Sequence, residues 1–299
     1  MNSVFSRRAR EELVPENDDA GIGESGGVRL GRLLFDAGKL TEIDVNRVVA
    51  TQRKKNVRFG EAAVRLGLVT REDVEQALAL QFGYPYVTAD SGLDSTLVAA
   101  HQPFGAVAEA LRELRSQLQL RWFNEKEHTL AICAPHKRSG CSHLAANLAI
   151  SFAQLGERTL LIDANFRKPA QQSLFNATPA AGLSHLLIGR CGLDEALVPI
   201  APFPDLKVLF AGTQPPNPQE LLSRVTFRYL LETSSSNFDV VIIDTPPILE
   251  YSDAQIVAAA SGGCLLAARR HKTRVADIER AREKFVPTRA AMLGTALVG

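Results

Sequence analysis

The sequence predicts an α/β protein in which a small helical domain precedes a doubly wound, mostly parallel sheet. Two observations carry this prediction. Near-continuous apolar runs of strand length recur between residues 129 and 298, and helical patterns separate them. Such runs are typical of parallel strands that helices cover on both faces. Before them, residues 29–81 contain the same helical pattern twice.

The length of the chain, 299 residues, favours more than one domain. We predict a disordered tail over residues 1–27, because this stretch mixes charges with Gly, Ser, Asn and Asp and has no apolar period. A duplicated helical domain follows over residues 28–88. Residues 89–103, which are rich in turn-forming side chains, are predicted to be a linker. The α/β domain then covers residues 104–299.

Composition argues against several functional classes. Lys and Arg total 34 against 33 Asp and Glu, so there is no overall charge to attract nucleic acid, and we expect no nucleic-acid partner. The four cysteines lack CxxC spacing, which argues against disulfides and zinc. The apolar runs are far shorter than the roughly 20 residues of a membrane helix. We therefore expect a cytoplasmic protein that another protein anchors if it acts at a membrane.

The N-terminal repeat has a period of 29 residues. Each copy predicts two short helices joined by a glycine-containing turn. The second helix of each copy begins after a threonine cap and has an acidic first turn. The identities include Arg29, Gly31, Gly38 and Gln52 in the first copy and Arg58, Gly60, Gly67 and Gln81 in the second. This pattern predicts a duplicated helical pair that closes into one small domain.

The α/β part begins with a predicted helix from Phe104 to about Leu120. The strands that follow are predicted at residues 129–133, 158–163, 206–210, 240–244, 263–267 and 292–298.

The first predicted strand runs into a polar loop, residues 134–142, and then into a helical pattern. This is the context of a phosphate-binding loop, in which backbone N–H groups hold phosphate, a Lys reaches the terminal phosphates and a Ser or Thr binds magnesium. The predicted nucleotide-binding residues are Ser139, Gly140, Cys141, Ser142 and His143. Because Cys141 stands where the Lys belongs, the loop taken alone is better interpreted as an ordinary strand-to-helix turn.

Two carboxylates favour a nucleotide-binding loop over an ordinary strand-to-helix turn. Asp163 and Asp244 each end a predicted strand, and the carboxyl ends of parallel strands surround the ligand crevice. Beside the helix start at Ser142, they favour a magnesium–nucleotide site and a sheet of the P-loop NTPase type. We predict that Ser142, Asp163 and Asp244 bind Mg²⁺.

Four stretches make a more specific resemblance: residues 163–169 (DANFRKP), 212–222 (GTQPPNPQELL), 238–247 (FDVVIIDTPP) and 252–254 (SDA). They resemble the bacterial tyrosine kinases of capsule and exopolysaccharide assembly, from about Phe104 to the C-terminus. The resemblance implies that Asp163 and Asp244 are catalytic, with Asp244 as the Walker B group, and that Mg-ATP is the cofactor. It also implies a membrane chain-length-determinant partner, a polysaccharide co-polymerase, that holds the protein at the inner membrane.

A charged helix also matches this family. Glu109, Arg112 and Arg115 fit its ring-forming EX2RX2R motif, which implies a homo-oligomer. Spacings of three and six residues keep these side chains near one stripe of a helix. Without the resemblance, a solvated charged face is the simpler interpretation.

The chain departs from the family pattern in several places. Cys141 replaces a Lys, and Asn165 stands where a second Asp belongs. The loop has lost its usual glycines, and His136, Lys137 and Arg138 stand in the stretch before Ser139. We expect binding to survive while turnover drops, since charge stabilisation matters most in the transition state. Lys137 or Arg138 supplying the missing cation is the alternative.

The positions of the tyrosines also differ from the pattern of this family. The last tyrosine is Tyr251, whereas the family usually ends in a tyrosine-rich tail. We therefore expect no autophosphorylation of such a tail. The chain stops where relatives often carry an Asn near the adenine, so recognition of the base is also in question.

The two N-terminal copies resemble the tandem motif in the N-terminal domains of type II secretion and pilus-extension ATPases, some of which bind cyclic di-GMP. An arginine offers a planar fork for phosphate or a guanine edge. The simpler interpretation is that the apolar residues and glycines build the fold. The residues implicated by the resemblance are Arg29, Leu30, Gly31, Gly38, Gln52, Arg58, Phe59, Gly60, Gly67 and Gln81.

The sequence thus favours a tyrosine-kinase-like protein that regulates exopolysaccharide chain length or export with a membrane partner. Three alternatives remain open. One is a fully active tyrosine kinase with an unusual loop, another is a non-catalytic pseudokinase scaffold that responds to cyclic di-GMP, and the third is a positioning ATPase of the ParA/MinD type.

Overall fold

The computed structural model describes residues 25–82, 85–87, 91–124 and 126–299. The tail predicted over residues 1–27 lies almost wholly outside them. The chain divides into two compact units, Met1–Gly83 and Tyr84–Gly299. Within the described ranges, no helix has the length and apolar character needed to cross a membrane.

The described part of the N-terminal unit forms four helices: α1 Ser25–Asp36, α2 Glu42–Lys55, α3 Phe59–Arg65 and α4 Arg71–Gln81. Helices α2 and α4 begin with the same capping box, made by Thr41 with Asp44 and by Thr70 with Asp73. The sequence repeat therefore folds as two copies of one helix pair.

Glycines allow the helices of this unit to approach closely. A Cβ atom on Gly31 would lie 2.9 Å from Cζ of Phe59, and one on Gly60 would lie 2.6 Å from Cγ1 of Val74. Phe59 and Leu30 are themselves buried in the core of the unit. These glycines are thus needed for packing, whatever else the surface binds.

The larger unit is built on a mostly parallel sheet, as predicted. Its described residues form seven strands: β1 Thr129–Cys133, β2 Thr159–Asp163, β3 Leu197–Ile200, β4 Phe203–Leu209, β5 Val240–Asp244, β6 Gly263–Arg269 and β7 Ala291–Val298. The strand order is β3-β4-β2-β5-β1-β6-β7. The strand pairs are parallel except β3 with β4.

Helices cover both faces of the sheet, each over its own apolar core. Helix α7 packs on one face through residues such as Leu148 and Phe152, while Phe227 and Leu230 pack on the other. The sheet is therefore doubly wound, which confirms the predicted α/β fold class. The helices are α5 Val98–His101, α6 Ala106–Arg121, α7 Cys141–Ala153, α8 Gln171–Leu174, α9 Leu183–Leu187, α10 Leu193–Ala196, α11 Pro218–Leu222, α12 Val225–Asn237, α13 Asp253–Ser261 and α14 Val275–Phe285, followed by the 3-10 turn Val286–Thr288.

The segment predicted as a linker, residues 89–103, contains packed structure. It includes α5, and Leu97 is fully buried. The backbone N–H of Ala99 donates to Oδ1 of Asn147 at 2.9 Å, and Nε2 of Gln154 donates to the carbonyl of Ala99 at 2.7 Å. Side-chain amides on α7 thus hold part of this segment against the larger unit.

Candidate functional site

The predicted site residues meet at the carboxyl edge of the sheet. β2 and β5 are neighbours, and their register pairs Asp163 with Asp244. The loop of residues 134–140 leaves β1, the strand on the other side of β5, and leads into α7. Both aspartates are fully buried. The topology therefore places the two aspartates side by side in the protein interior, near the start of α7.

Backbone donors fix Asp163. Its Oδ1 accepts from the N–H of Asn165 at 3.0 Å, and its Oδ2 accepts from the N–H groups of Ala170 at 3.2 Å and Gln171 at 3.1 Å. The loop after β2 is therefore folded around this carboxylate. Asn165 contributes its backbone here, although the family pattern expects a second Asp at that position.

Gln171 is a site residue that sequence reasoning missed. Its Nε2 donates to Oδ2 of Asp244 at 2.9 Å and to the carbonyl of Ser142 at 3.1 Å. This side chain is fully buried and links the β2 loop, the start of α7 and Asp244. No motif marks it, since its importance depends on the tertiary arrangement alone.

Two buried oxygen atoms in this cluster have no hydrogen-bond partner among the described residues, Oδ1 of Asp244 and Oε1 of Gln171. Buried polar atoms are nearly always satisfied, so such atoms mark a place where a further ligand can bind. Asp163, Asp244 and the Ser142 hydroxyl are oxygen ligands of the kind that Mg²⁺ prefers. The residues present therefore fit a magnesium ion.

Burial and mutual repulsion raise the pKa values of the carboxylate pair. For Asp163 the larger cause of the raised pKa is burial, and the Asp244 carboxylate adds to it. Burial also raises the pKa of Asp244, and hydrogen bonds with Ser142 and Gln171 oppose that rise. The pair thus favours holding a proton until a cation offsets its charge.

Cys141 supplies no positive charge to the loop. Its thiol donates to the carbonyl of Ile132 at 3.1 Å, with the carbonyl of Thr245 at 3.7 Å. Burial and the neighbouring Asp244 carboxylate raise the pKa of the thiol well above its ordinary value. The side chain at the expected Lys position is therefore neutral and directed into the core.

The loop reaches its conformation despite the loss of glycines. Gly140 has φ +83°, and a Cβ atom there would lie 2.7 Å from Cγ2 of Val298. Arg138 also has a left-handed backbone, with φ 61°. Only glycine adopts this region without cost, and another residue loses roughly 1–2 kcal/mol there. The loop without its usual glycines thus has a strained backbone at Arg138.

A cavity of about 780 Å³ lies beside this loop. Gly140 and His143, both predicted to bind nucleotide, line it, whereas Cys141 and Ser142 do not. Arg138 and Arg269 also line it. Most of the remaining wall is apolar and comes from α6, α7 and the end of β7, including Val107, Leu111, Leu114, Leu144, Ala296 and Val298.

The predicted oligomerisation residues on α6 differ in accessibility. Glu109 is exposed, and Nε of Arg112 donates to its Oε2 at 2.9 Å. Arg115 is only 9% exposed, and its Nη1 donates to the carbonyl of Ser151 on α7 at 2.6 Å. Arg115 thus ties α6 to α7 within the chain and offers little surface to a second copy.

The predicted cyclic di-GMP residues fall into two groups. Leu30, Gly31, Phe59 and Gly60 are buried, and Gly38 and Gly67 form turns with φ 69° and 66°. Arg29 and Arg58 are exposed, while Gln52 and Gln81 are half-buried. The two arginines are therefore the members of this set with exposed side chains, whereas Oε1 of Gln81 is buried.

Comparison with known proteins gives two kinds of likeness. An AAA domain model matches residues 131–266. The chain is 31% identical over 203 residues to the putative tyrosine-protein kinase CapB of Staphylococcus aureus. The matched region is 68% of this chain and 89% of the relative. The kinase domain of the Escherichia coli tyrosine kinase ETK superposes with a TM-score of 0.65 at 31% identity, covering 68% of this chain and 79% of that one.

A more distant likeness concerns the fold alone. The cell division ATPase MinD of Pyrococcus furiosus superposes with a TM-score of 0.51 at 18% identity, covering 57% of this chain and 71% of that one. Together with the kinase domain, it confirms a sheet of the P-loop NTPase type.

Proposed function

We propose that this chain, which belongs to the family of bacterial tyrosine-protein kinases, binds Mg-ATP and has weakened phosphoryl-transfer activity. One observation carries the proposal. The buried acids Asp163 and Asp244 are retained, while position 141 presents a neutral thiol in place of a cation. Loss of a charge that acts mainly in the transition state lowers turnover more than binding.

Each residue of the proposed nucleotide site has a separate role. Ser142, Asp163 and Asp244 would hold the metal, and Gln171 orients Asp244 through its amide. The loop backbone and the N-terminus of α7 offer N–H groups to phosphate oxygens. Bound Mg-ATP supplies the phosphoryl group, whose charge the metal neutralises.

The biological setting of this proposal is exopolysaccharide chain length and export. We infer a membrane polysaccharide co-polymerase as the partner, at the cytoplasmic face of the inner membrane. The support is the resemblance of the stretches at 163–169, 212–222 and 238–247 to kinases of that assembly system. Any homo-oligomer would use Glu109 and Arg112 more than the buried Arg115.

Transfer of labelled phosphate to a tyrosine-bearing partner tests the proposed activity. The native chain should transfer slowly, and Cys141→Lys should raise the rate by roughly 10- to 1,000-fold, the scale of one preorganised charge contact. Asp244→Asn should abolish transfer in either background. Equal rates for native and Cys141→Lys proteins would show that the thiol does not limit catalysis.

A non-catalytic scaffold that responds to cyclic di-GMP is the second candidate. The observation in its favour is that Arg29 and Arg58, at equivalent positions of the two copies, are both exposed. Calorimetry on the full chain should detect cyclic di-GMP, and Arg29→Ala with Arg58→Ala should abolish the signal while Arg53→Ala retains it. Absence of heat with the native chain at millimolar ligand would eliminate this candidate.

A further inference from the structure

Two arginines from different elements lie at the phosphate-binding loop and line one cavity. Arg269 ends β6, and its Nη1 donates to the backbone carbonyl of Arg138 within the loop at 3.3 Å. Both arginines line the same cavity as Gly140, the residue that precedes α7. The cavity therefore brings two permanent positive charges to the start of that helix.

Two other side chains of the loop region, Cys141 and Lys137, do not supply a cation to the cavity. The thiol of Cys141 is neutral and faces the core. Nζ of Lys137 lies 3.9 Å from Oε2 of Glu250, and Lys137 does not line the cavity. Its charge is already balanced by an acidic neighbour outside the cavity.

The backbone of Arg138 gives an independent reason to look at its side chain. Its φ of 61° is the conformation in which a glycine would be free of strain. Strained residues cluster at functional sites, and an observed outlier of this kind favours a functional use of the side chain. The strain at Arg138 is explained if its guanidinium group is needed in the cavity.

We propose that Arg138 and Arg269 together form the phosphate-binding cations of this cavity and replace the lysine that is absent at position 141. The ligand class is a nucleoside polyphosphate, so the inference rests on the proposed function. Each guanidinium can bind two oxygens of one phosphate, which a point charge cannot do. The apolar wall of Val107, Leu111 and Leu144 then faces the nucleoside, in a cavity of ordinary ligand size.

The test uses the full chain and three probes: Mg-ATP, magnesium tripolyphosphate and adenosine. Calorimetry on Arg138→Gly and on Arg269→Gln should show both phosphate-bearing probes binding about 10- to 100-fold more weakly, as expected for loss of a charge-assisted contact. Adenosine binding should not change. Arg270→Gln is the matched control, because Arg270 is exposed, follows Arg269 directly and does not line the cavity. It should bind all three probes as the native chain does.

Folding is monitored in the same variants. Arg138→Gly should raise the melting temperature by about 2–4 °C, because it relieves backbone strain. A protein that is more stable and yet binds tripolyphosphate more weakly cannot have lost binding by unfolding. Adding Cys141→Lys to the Arg138→Gly, Arg269→Gln double variant should restore binding, since the charge then returns at its usual position.

The outcomes separate this inference from the proposed function. If both arginine variants bind Mg-ATP as tightly as the native chain, the cation pair is wrong and the nucleotide site stands. If the native chain fails to bind and Cys141→Lys binds, the arginines do not replace the lysine and the native nucleotide site is also wrong. If neither the native chain nor Cys141→Lys binds Mg-ATP, the proposal of a nucleotide site at the carboxyl edge of the sheet is wrong.

Discussion

Asp163 and Asp244 are the residues on which the proposed chemistry of this molecule depends. Their burial in adjacent strand ends places two acids where only a cation or a proton can offset their charge. Of the residues that surround them, Ser142 could be predicted, because it follows Gly140 at the start of a helical pattern. Gln171 could not, since it reaches Asp244 only through the folded arrangement of the loop after β2.

The pH dependence of stability follows from this pair. The folded pKa values are raised, so the folded state holds a proton more strongly than the unfolded chain. The contribution of this pair to stability is therefore fully present below the unfolded value of about 4 and falls as pH rises toward the folded value, by at most about 1.4 kcal/mol for each pH unit and proton. Asp244→Asn should make the metal-free protein roughly 1–3 kcal/mol more stable than the native one at pH 8.5.

Urea denaturation with a chelator at pH 5.5 and pH 8.5 measures this difference. Asp194→Asn, which removes an exposed acid far from the pair in sequence, serves as the control. Native and Asp244→Asn proteins with the same pH slope would contradict the account of a destabilising buried pair.

Among the elements, the capped helices and the apolar strands were predictable, and the short edge elements were not. The six strands that the sequence predicts all occur in the sheet. The apolar runs of β1, β2 and β5 are buried throughout, as expected of strands covered on both faces. The strand missed, β3, lies at the edge, is antiparallel and has only four residues, one of them the exposed Pro199, which argues against a strand. Helix α5 was missed because four residues are too few to show a helical period.

The repeated capping boxes give a prediction for the elements of the N-terminal unit. Thr41→Ala and Thr70→Ala each remove a side-chain acceptor for the N–H of Asp44 or Asp73. Each change should lower the free energy of unfolding by about 1 kcal/mol, and the two should add, because they cap separate helices. Thr51→Ala, where the hydroxyl bonds a carbonyl within helix α2, should cost less.

Thermal unfolding of the full chain followed by circular dichroism checks these values. A double variant no less stable than either single one would show that the two caps are not independent.

At the scale of the whole molecule, two units carry two different candidate ligand sites. The α/β unit follows from its sequence pattern and resembles the kinase domain of ETK in fold. The duplicated helical unit lies outside the matched AAA domain model at residues 131–266, so its ligand rests on its own residues. Which residues of the two units expose polar groups could not be predicted from the sequence, because burial depends on packing between helices.

The central claim is that the native phosphate-binding loop still holds Mg-ATP without its lysine. Calorimetric titration of the native full chain with Mg-ATP tests this claim most directly, beside Cys141→Lys and Asp244→Asn. The account predicts binding by the native chain, binding about 10- to 100-fold tighter with the lysine restored, and little or none when Asp244 is neutralised. No binding by the native chain, with binding only after Cys141→Lys, would contradict it.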